Sequence, residues 1–168
     1  MQKSMNRVDS KTALVTGGGR GLGEASSEML AAGGANVVVT DINEEAAQHT
    51  ADIINQKGGR AIALHQDVSE KSRWAEVVDT TLSEFGHLNV LVNNAGVSGA
   101  GSGAFEELSM DQWKLVMNVN LDAVFLGCQA AIKAMKANGG SIVNISSVMG
   151  IVGGAGRSEE HTSELQSP

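Results

Sequence analysis

The sequence predicts an α/β fold built on a doubly wound parallel sheet, and three observations predict it: short β-branched runs alternate with longer helical stretches, glycines close the helices, and a glycine-rich turn follows the first strand. Lys11–Thr16, Asn36–Asp41, Arg60–Gln66, Leu88–Asn93 and Gly140–Ser146 are the apolar runs. Their hydrophobicity is nearly continuous, as in strands buried on both faces. Helices are predicted over Gly21–Ala32, Asn43–Lys57, Ser69–Phe85 and Ser109–Asn138, ending at Gly33-Gly34, Gly58-Gly59, Gly86 and Gly139-Gly140. Glycine suits these ends because it adopts the left-handed conformation of a C-cap without steric cost. Ser109 with Gln112 reads as a capping box, and Ser69 followed by Glu70 reads as a hydroxyl cap with a favourable charge at a helix start. Strands joined through helices imply right-handed crossovers and a sheet covered on both sides.

The longest predicted helix carries Trp113, Val116, Met117, Leu121, Val124, Phe125, Cys128, Ile132 and Met135 at helical spacing. Core packing is the ordinary reading of such a stripe. Its width also suits a subunit contact.

Composition narrows the partners. The chain has 168 residues, 12 Lys+Arg against 19 Asp+Glu and a net charge of −7, with no basic run. Nucleic acid and anionic membrane surfaces both demand clustered cations, so neither is expected as a partner. One cysteine, Cys128, cannot close an internal disulfide, and Met1–Asp9 lacks the apolar core of a signal peptide. No run of consecutive apolar residues approaches the ~18 of a membrane span. The expectation is a cytoplasmic protein.

Chemistry concentrates at the ends of the predicted strands. Thr16-Gly17-Gly18-Gly19-Arg20-Gly21-Leu22-Gly23 follows the first strand and opens the first helix. Glycines permit a tight turn and let the backbone approach a pyrophosphate, which then sits at the positive helix N-terminus. The fold expected is therefore Rossmann-like, with Gly17, Gly19, Arg20, Gly21, Leu22 and Gly23 as candidate cofactor-binding residues. Asp41 lies about twenty residues further on, where a carboxylate accepts hydrogen bonds from both adenosine ribose hydroxyls and repels a 2′-phosphate, favouring NAD over NADP. The competing reading is that Asp41 supports the helix start at Asn43. Arg20 pulls the other way, towards a 2′-phosphate, and reads as well as a solvated loop residue or a pyrophosphate contact.

Over Lys11 to about Gly156 the sequence resembles the short-chain dehydrogenase/reductase family. Gly17, Gly21 and Gly23 fall in register with that family's T-G-x-x-x-G-x-G turn, and Asn93-Asn94-Ala95-Gly96 matches its N-N-A-G signature. Taken alone, the second motif is a turn-forming cluster at a strand end. The resemblance implies a sheet-stabilising Asn93 and a cofactor lining of Asn94, Ala95 and Gly96. It also implies that Asp67 and Val68 contact adenine, although Asp67 reads equally well as a helix-entry carboxylate. Asn120, an amide inside an apolar helix, aligns with the family's catalytic Asn, which implies a local helix distortion and a bound water in a proton relay. Asn118 has no assigned role. In Ile142-Val143-Asn144-Ile145-Ser146-Ser147 the catalytic serine aligns with Ser147, with Ser146 its neighbour; its hydroxyl would stabilise a developing alkoxide.

The resemblance thus implies an NAD(H)-dependent oxidoreductase of secondary alcohols and ketones that works as a homo-oligomer, a dimer or tetramer. The alternatives are an NADP-dependent 3-oxoacyl-thioester reductase and a non-catalytic nucleotide-binding module. No metal site is expected. The family completes its site with Tyr-x-x-x-Lys downstream of the serine, whereas this sequence contains no Tyr, and Glu160 and Glu164 fall near those places. An ionised carboxylate has the wrong pKa to protonate an alkoxide near neutral pH, so this chain is expected to be inactive. The eleven residues from Arg157 to Ser167 resemble the translation of a widely used sequencing adapter. Residues 1–156 are accordingly expected to form a dinucleotide-binding domain cut short after its fifth strand, and 157–168 a foreign, disordered tail.

Overall fold

A computed structural model describes residues 8–98 and 107–147. The expectations for the segment after Ser147, including the tail from Arg157, lie outside the described residues. Five parallel strands, β1 Thr12–Thr16, β2 Asn36–Asp41, β3 Arg60–His65, β4 Val90–Asn93 and β5 Ser141–Asn144, form one sheet in the order β3-β2-β1-β4-β5. The chain winds outwards from β1 to β3, then crosses back to place β4 on the other side of β1. The reversal makes the β1/β4 junction a topological switch point, and the loops at the carboxyl ends of these strands diverge there to leave a crevice.

Helices α1 Gly21–Ala32 and α2 Glu44–Gln56 cover one face; α3 Lys71–Phe85 covers the other together with α4 Met110–Met117 and α5 Ala123–Met135. The two faces have separate cores. Val15, Val37, Val39, Ala47, Ala51 and Ile54 pack on the first, while Leu14, Val38, Trp74, Val77, Leu91, Ala123 and Ala131 pack on the second. Alternation along β1 and β2 sends successive side chains to opposite cores.

Local chemistry explains most boundaries. Asn43 caps α2 by accepting from the Ala46 N–H, and Ser109 with Gln112 forms a reciprocal capping box on α4. Gly34, Gly58, Gly86 and Gly139 take the positive φ expected after their helices. One cap differs from expectation: α3 starts at Lys71 with Glu70 as its N-cap, and the Ser69 hydroxyl donates to the Asp67 carboxylate at 2.6 Å instead. Proximity decides this, because Asp67 and Ser69 close a short Asx-type turn before the helix begins.

The predicted helix Ser109–Asn138 carries the local distortion expected at Asn120. A π-helical stretch, Asn118–Asp122, separates α4 from α5 and contains Asn120. Such a bulge carries an extra residue in a turn and often marks a functional position. By length and composition the run Met110–Met135, mean hydropathy 1.5, meets the measure of a membrane-crossing helix. It packs on the sheet through Ala123, Ala131 and Met135 and leaves Leu115, Phe125 and Ile132 exposed.

Candidate active site

Thr16, at the end of β1, ties the switch point together. Its buried hydroxyl oxygen accepts from the backbone N–H groups of Asn94 and Ala95 at 3.0 and 3.1 Å, and donates to the Val92 carbonyl at 3.4 Å. Asn94 returns the contact: its carboxamide nitrogen donates to the carbonyls of Thr16 at 2.9 Å and Gly17 at 3.0 Å. The glycine turn after β1 and the loop after β4 are thus one hydrogen-bonded unit. A threonine and an asparagine suit the task because each offers a donor and an acceptor to backbone groups that the diverging strands leave unpaired.

Inside this unit the glycines are required by space or by backbone conformation. A Cβ on Gly23 would stand 2.1 Å from the Gly17 oxygen and 2.5 Å from the Asn94 side-chain nitrogen. Gly17 and Gly21 hold φ of 61° and 57°, and nothing lies within 4 Å of where a Gly21 Cβ would stand. Gly21 therefore presents bare backbone to open space at the first turn of α1. Arg20, the N-cap of that helix, makes no side-chain cap bond, in contrast to Asn43 and Ser109.

That open space is part of a cavity of about 440 Å³ along the carboxyl edge of the sheet. Of the candidate cofactor residues, Gly17, Arg20, Gly21, Leu22, Gly23, Asp41, Asp67, Val68, Asn94, Ala95 and Gly96 line it, joined by Ile42, Gln66, Val97 and Val119. Gly19 is not on this wall; its space is closed by Ala46 of α2, and its N–H donates to Asp41 Oδ2 at 3.0 Å. Asp41 Oδ1 accepts from the Asn43 N–H at 3.0 Å. The Asp41 carboxylate thus supports both the glycine turn and the entry to α2 while it lines the cavity. Asp67 likewise combines a helix-entry bond to the Ser69 N–H at 2.9 Å with a place on the wall. A carboxylate accepts about four hydrogen bonds, so these backbone contacts leave each with capacity for a further donor from the cavity side.

Asn120 sits beside Gly96 and Val97. Its Oδ1 accepts from the Val97 N–H at 2.9 Å and its Nδ2 donates to the Val97 carbonyl at 2.8 Å, so the π bulge and the loop after β4 hold each other in place. Asn93, buried, donates to Asn144 Oδ1 at 2.9 Å, which joins β4 to β5 at the level where β5 runs on to Ser147. Ser147 is described and exposed. The sequence reading missed Gln66, Ile42, Val97 and Val119. Gln66 was legible in principle: alternation with Ile62 and Leu64 puts it on a core face, where an amide is out of place. Among the described residues no cluster of three or more His, Cys, Asp or Glu is arranged to hold a metal ion.

The short chain dehydrogenase family model matches residues 11–159. The chain is 43% identical over 159 residues to trans-4-hydroxycyclohexanecarboxylate dehydrogenase of Sinomonas cyclohexanicum, covering 91% of this chain and 61% of that enzyme. It is 41% identical to cyclopentanol dehydrogenase of Comamonas sp. over 153 residues, 90% of this chain and 60% of the enzyme. A crystal structure from Sinorhizobium meliloti, described as a short-chain alcohol dehydrogenase, superposes with a TM-score of 0.88 at 34% identity, covering 95% of this chain and 63% of the other. The chain spans about three fifths of the length of the curated relatives it matches. The matching motifs lie on the loops at the crevice, and the chain belongs to the short-chain dehydrogenase family.

Proposed function

We propose that this protein is an NAD(H)-dependent dehydrogenase of secondary alcohols and the corresponding ketones. The observation that carries the reading is the cavity at the switch point, where bare glycine backbone at Gly21 and the carboxylates of Asp41 and Asp67 line one crevice. A dinucleotide fits these residues. Its pyrophosphate has the uncapped start of α1, which favours an anion. Its adenosine has Asp41 for the ribose and Asp67 with Val68 for the base. A dinucleotide held by these residues would supply the hydride donor or acceptor for the alcohol carbon.

The chain's own residues then have separate tasks. Asp41 accepts from the ribose hydroxyls and opposes a 2′-phosphate, so NAD is favoured over NADP. Asn94, locked to Thr16, keeps the Asn94–Gly96 backbone against the cofactor. Asn120 fixes the loop at Val97 and is the catalytic Asn of the proton relay. Ser147 donates its hydroxyl hydrogen to the substrate oxygen and stabilises negative charge there. The 168 residues contain no tyrosine, so for these residues alone the reading is cofactor binding without turnover, and the dehydrogenase activity proposed is that of a protein in which the proton-transferring phenol is also supplied.

Two relatives are named for ring alcohols, cyclopentanol and a hydroxycyclohexanecarboxylate, which supports a cyclic secondary alcohol as substrate. We place the protein in the cytoplasm, with residues 1–156 as its dinucleotide-binding domain and 157–168 as an appended tail. It works as a homo-oligomer through the exposed face of α4 and α5, where Phe125 is 64% exposed. Calorimetric titration tests the reading. NADH is expected to bind more tightly than NADPH; a preference for NADPH would move the protein to the NADP-dependent reductases, and binding of neither would end the dinucleotide reading.

A further inference from the structure

Gln66, directly after β3, is 1% exposed, yet neither its side-chain oxygen nor its side-chain nitrogen has a hydrogen-bond partner. The other buried polar side chains on the sheet and helices are satisfied: Thr16, Ser27, Thr40, Thr50, Thr81 and Asn93 each make a hydrogen bond. Among the described residues the other unpartnered buried polar atoms are the Thr12 hydroxyl, at the opposite, amino end of β1, and Arg73 Nε, whose guanidinium is held through its terminal nitrogens by Glu76 and the His65 carbonyl. A buried amide with no protein partner at either end is an arrangement folded proteins rarely keep. Gln66 also lines the cavity, and its backbone N–H is held by the Asp41 carbonyl at 2.9 Å, so its position between Asp41 and Asp67 is fixed.

We propose that Gln66 is an adenine-reading residue, its Nε2 donating to ring nitrogen N7 and its Oε1 accepting from the exocyclic amine. The inference rests on the dinucleotide reading above. A carboxamide matches this edge of adenine because donor and acceptor stand side by side in both groups. Turning the amide towards the cavity breaks no hydrogen bond to the protein, because it makes none. Ile42, 67% exposed on the rim of the same cavity, offers an apolar surface to a flat ring.

The test is calorimetric titration of the intact chain and its Gln66→Met variant with NAD and with nicotinamide hypoxanthine dinucleotide, in which an oxygen replaces the exocyclic amine. Thermal melts are run alongside. The variant is expected to melt no lower than the parent, to bind NAD about three- to tenfold more weakly, and to discriminate less between the two dinucleotides. Unchanged or tighter NAD binding by a folded variant would show that the amide is a core residue served by water, and would overturn the proposal. If the variant does not fold, the unsubstituted chain decides: an NAD analogue with 7-deazaadenine is expected to bind about three- to tenfold more weakly, and equal binding overturns the proposal. Failure of the parent chain to bind NAD at all is a different result, which removes the dinucleotide reading and this inference with it.

Discussion

Replacing Thr16 by valine tests whether one hydroxyl holds the crevice together. The substitution keeps the side-chain shape and removes the oxygen that accepts from the Asn94 and Ala95 N–H groups at 3.0 and 3.1 Å. Thr16 is buried, so water does not readily replace the lost acceptor. Each stranded donor costs about 1–3 kcal/mol, while the bond to Val92 at 3.4 Å adds little. Allowing for partial relaxation, Thr16→Val is expected to destabilise the protein by about 2–4 kcal/mol. For a domain of this size that lowers Tm by about 4–16 °C. Circular dichroism melts measure the loss, and hydrogen exchange at the Asn94 and Ala95 amides locates it. Thr16→Ser restores the acceptor and should recover most of the stability. A Thr16→Val protein that melts within a degree of the parent, with both amides still protected, would refute the argument that the hydroxyl ties β1 to the loop after β4.

Asp41→Ala is expected to weaken NADH binding by about 1–3 kcal/mol and to spare NADPH, measured by titration with each; equal losses would make Asp41 a support for the Gly19 and Asn43 backbone only. Gly23→Ala places a methyl group 2.1 Å from the Gly17 oxygen, so it should cost about 1–3 kcal/mol in a chemical-denaturation series and abolish nucleotide binding. Asn120→Ala removes two hydrogen bonds to Val97 and should accelerate exchange of the Val97 amide, with a stability loss of about 1–3 kcal/mol. Phe125→Asp on the exposed face of α5 is expected to reduce the sedimenting mass of the protein; an unchanged mass would place any subunit contact elsewhere.

Much of this molecule was legible in its residues because the signals are local. Buried parallel strands need continuous apolar runs, and helices need caps, so the sheet, the four helical regions and the glycines that end them follow from composition and spacing. The glycine turn was legible for the same reason: few residues other than glycine tolerate the backbone of positions 17 and 21. Where readings failed, two local options of similar energy competed. Ser69 had both a helix N-terminus and the Asp67 carboxylate within reach, and took the carboxylate. The long helix, by contrast, carries the distortion expected at Asn120: the bulge at Asn118–Asp122 coincides with the pairing of the Asn120 amide to Val97, a residue distant in sequence.

The sequence by itself determined the strands, the helices and the residue types at the strand ends. Only the tertiary structure decided that Asp41 and Asp67 each bind backbone while facing the cavity, and that Gly19 stands behind its wall. It alone revealed Gln66 as a buried amide without a partner. The physical reason is that hydrogen-bond satisfaction and clearance are pairwise properties of groups far apart in the chain, set by the β1/β4 crossover and not by any segment's own propensity.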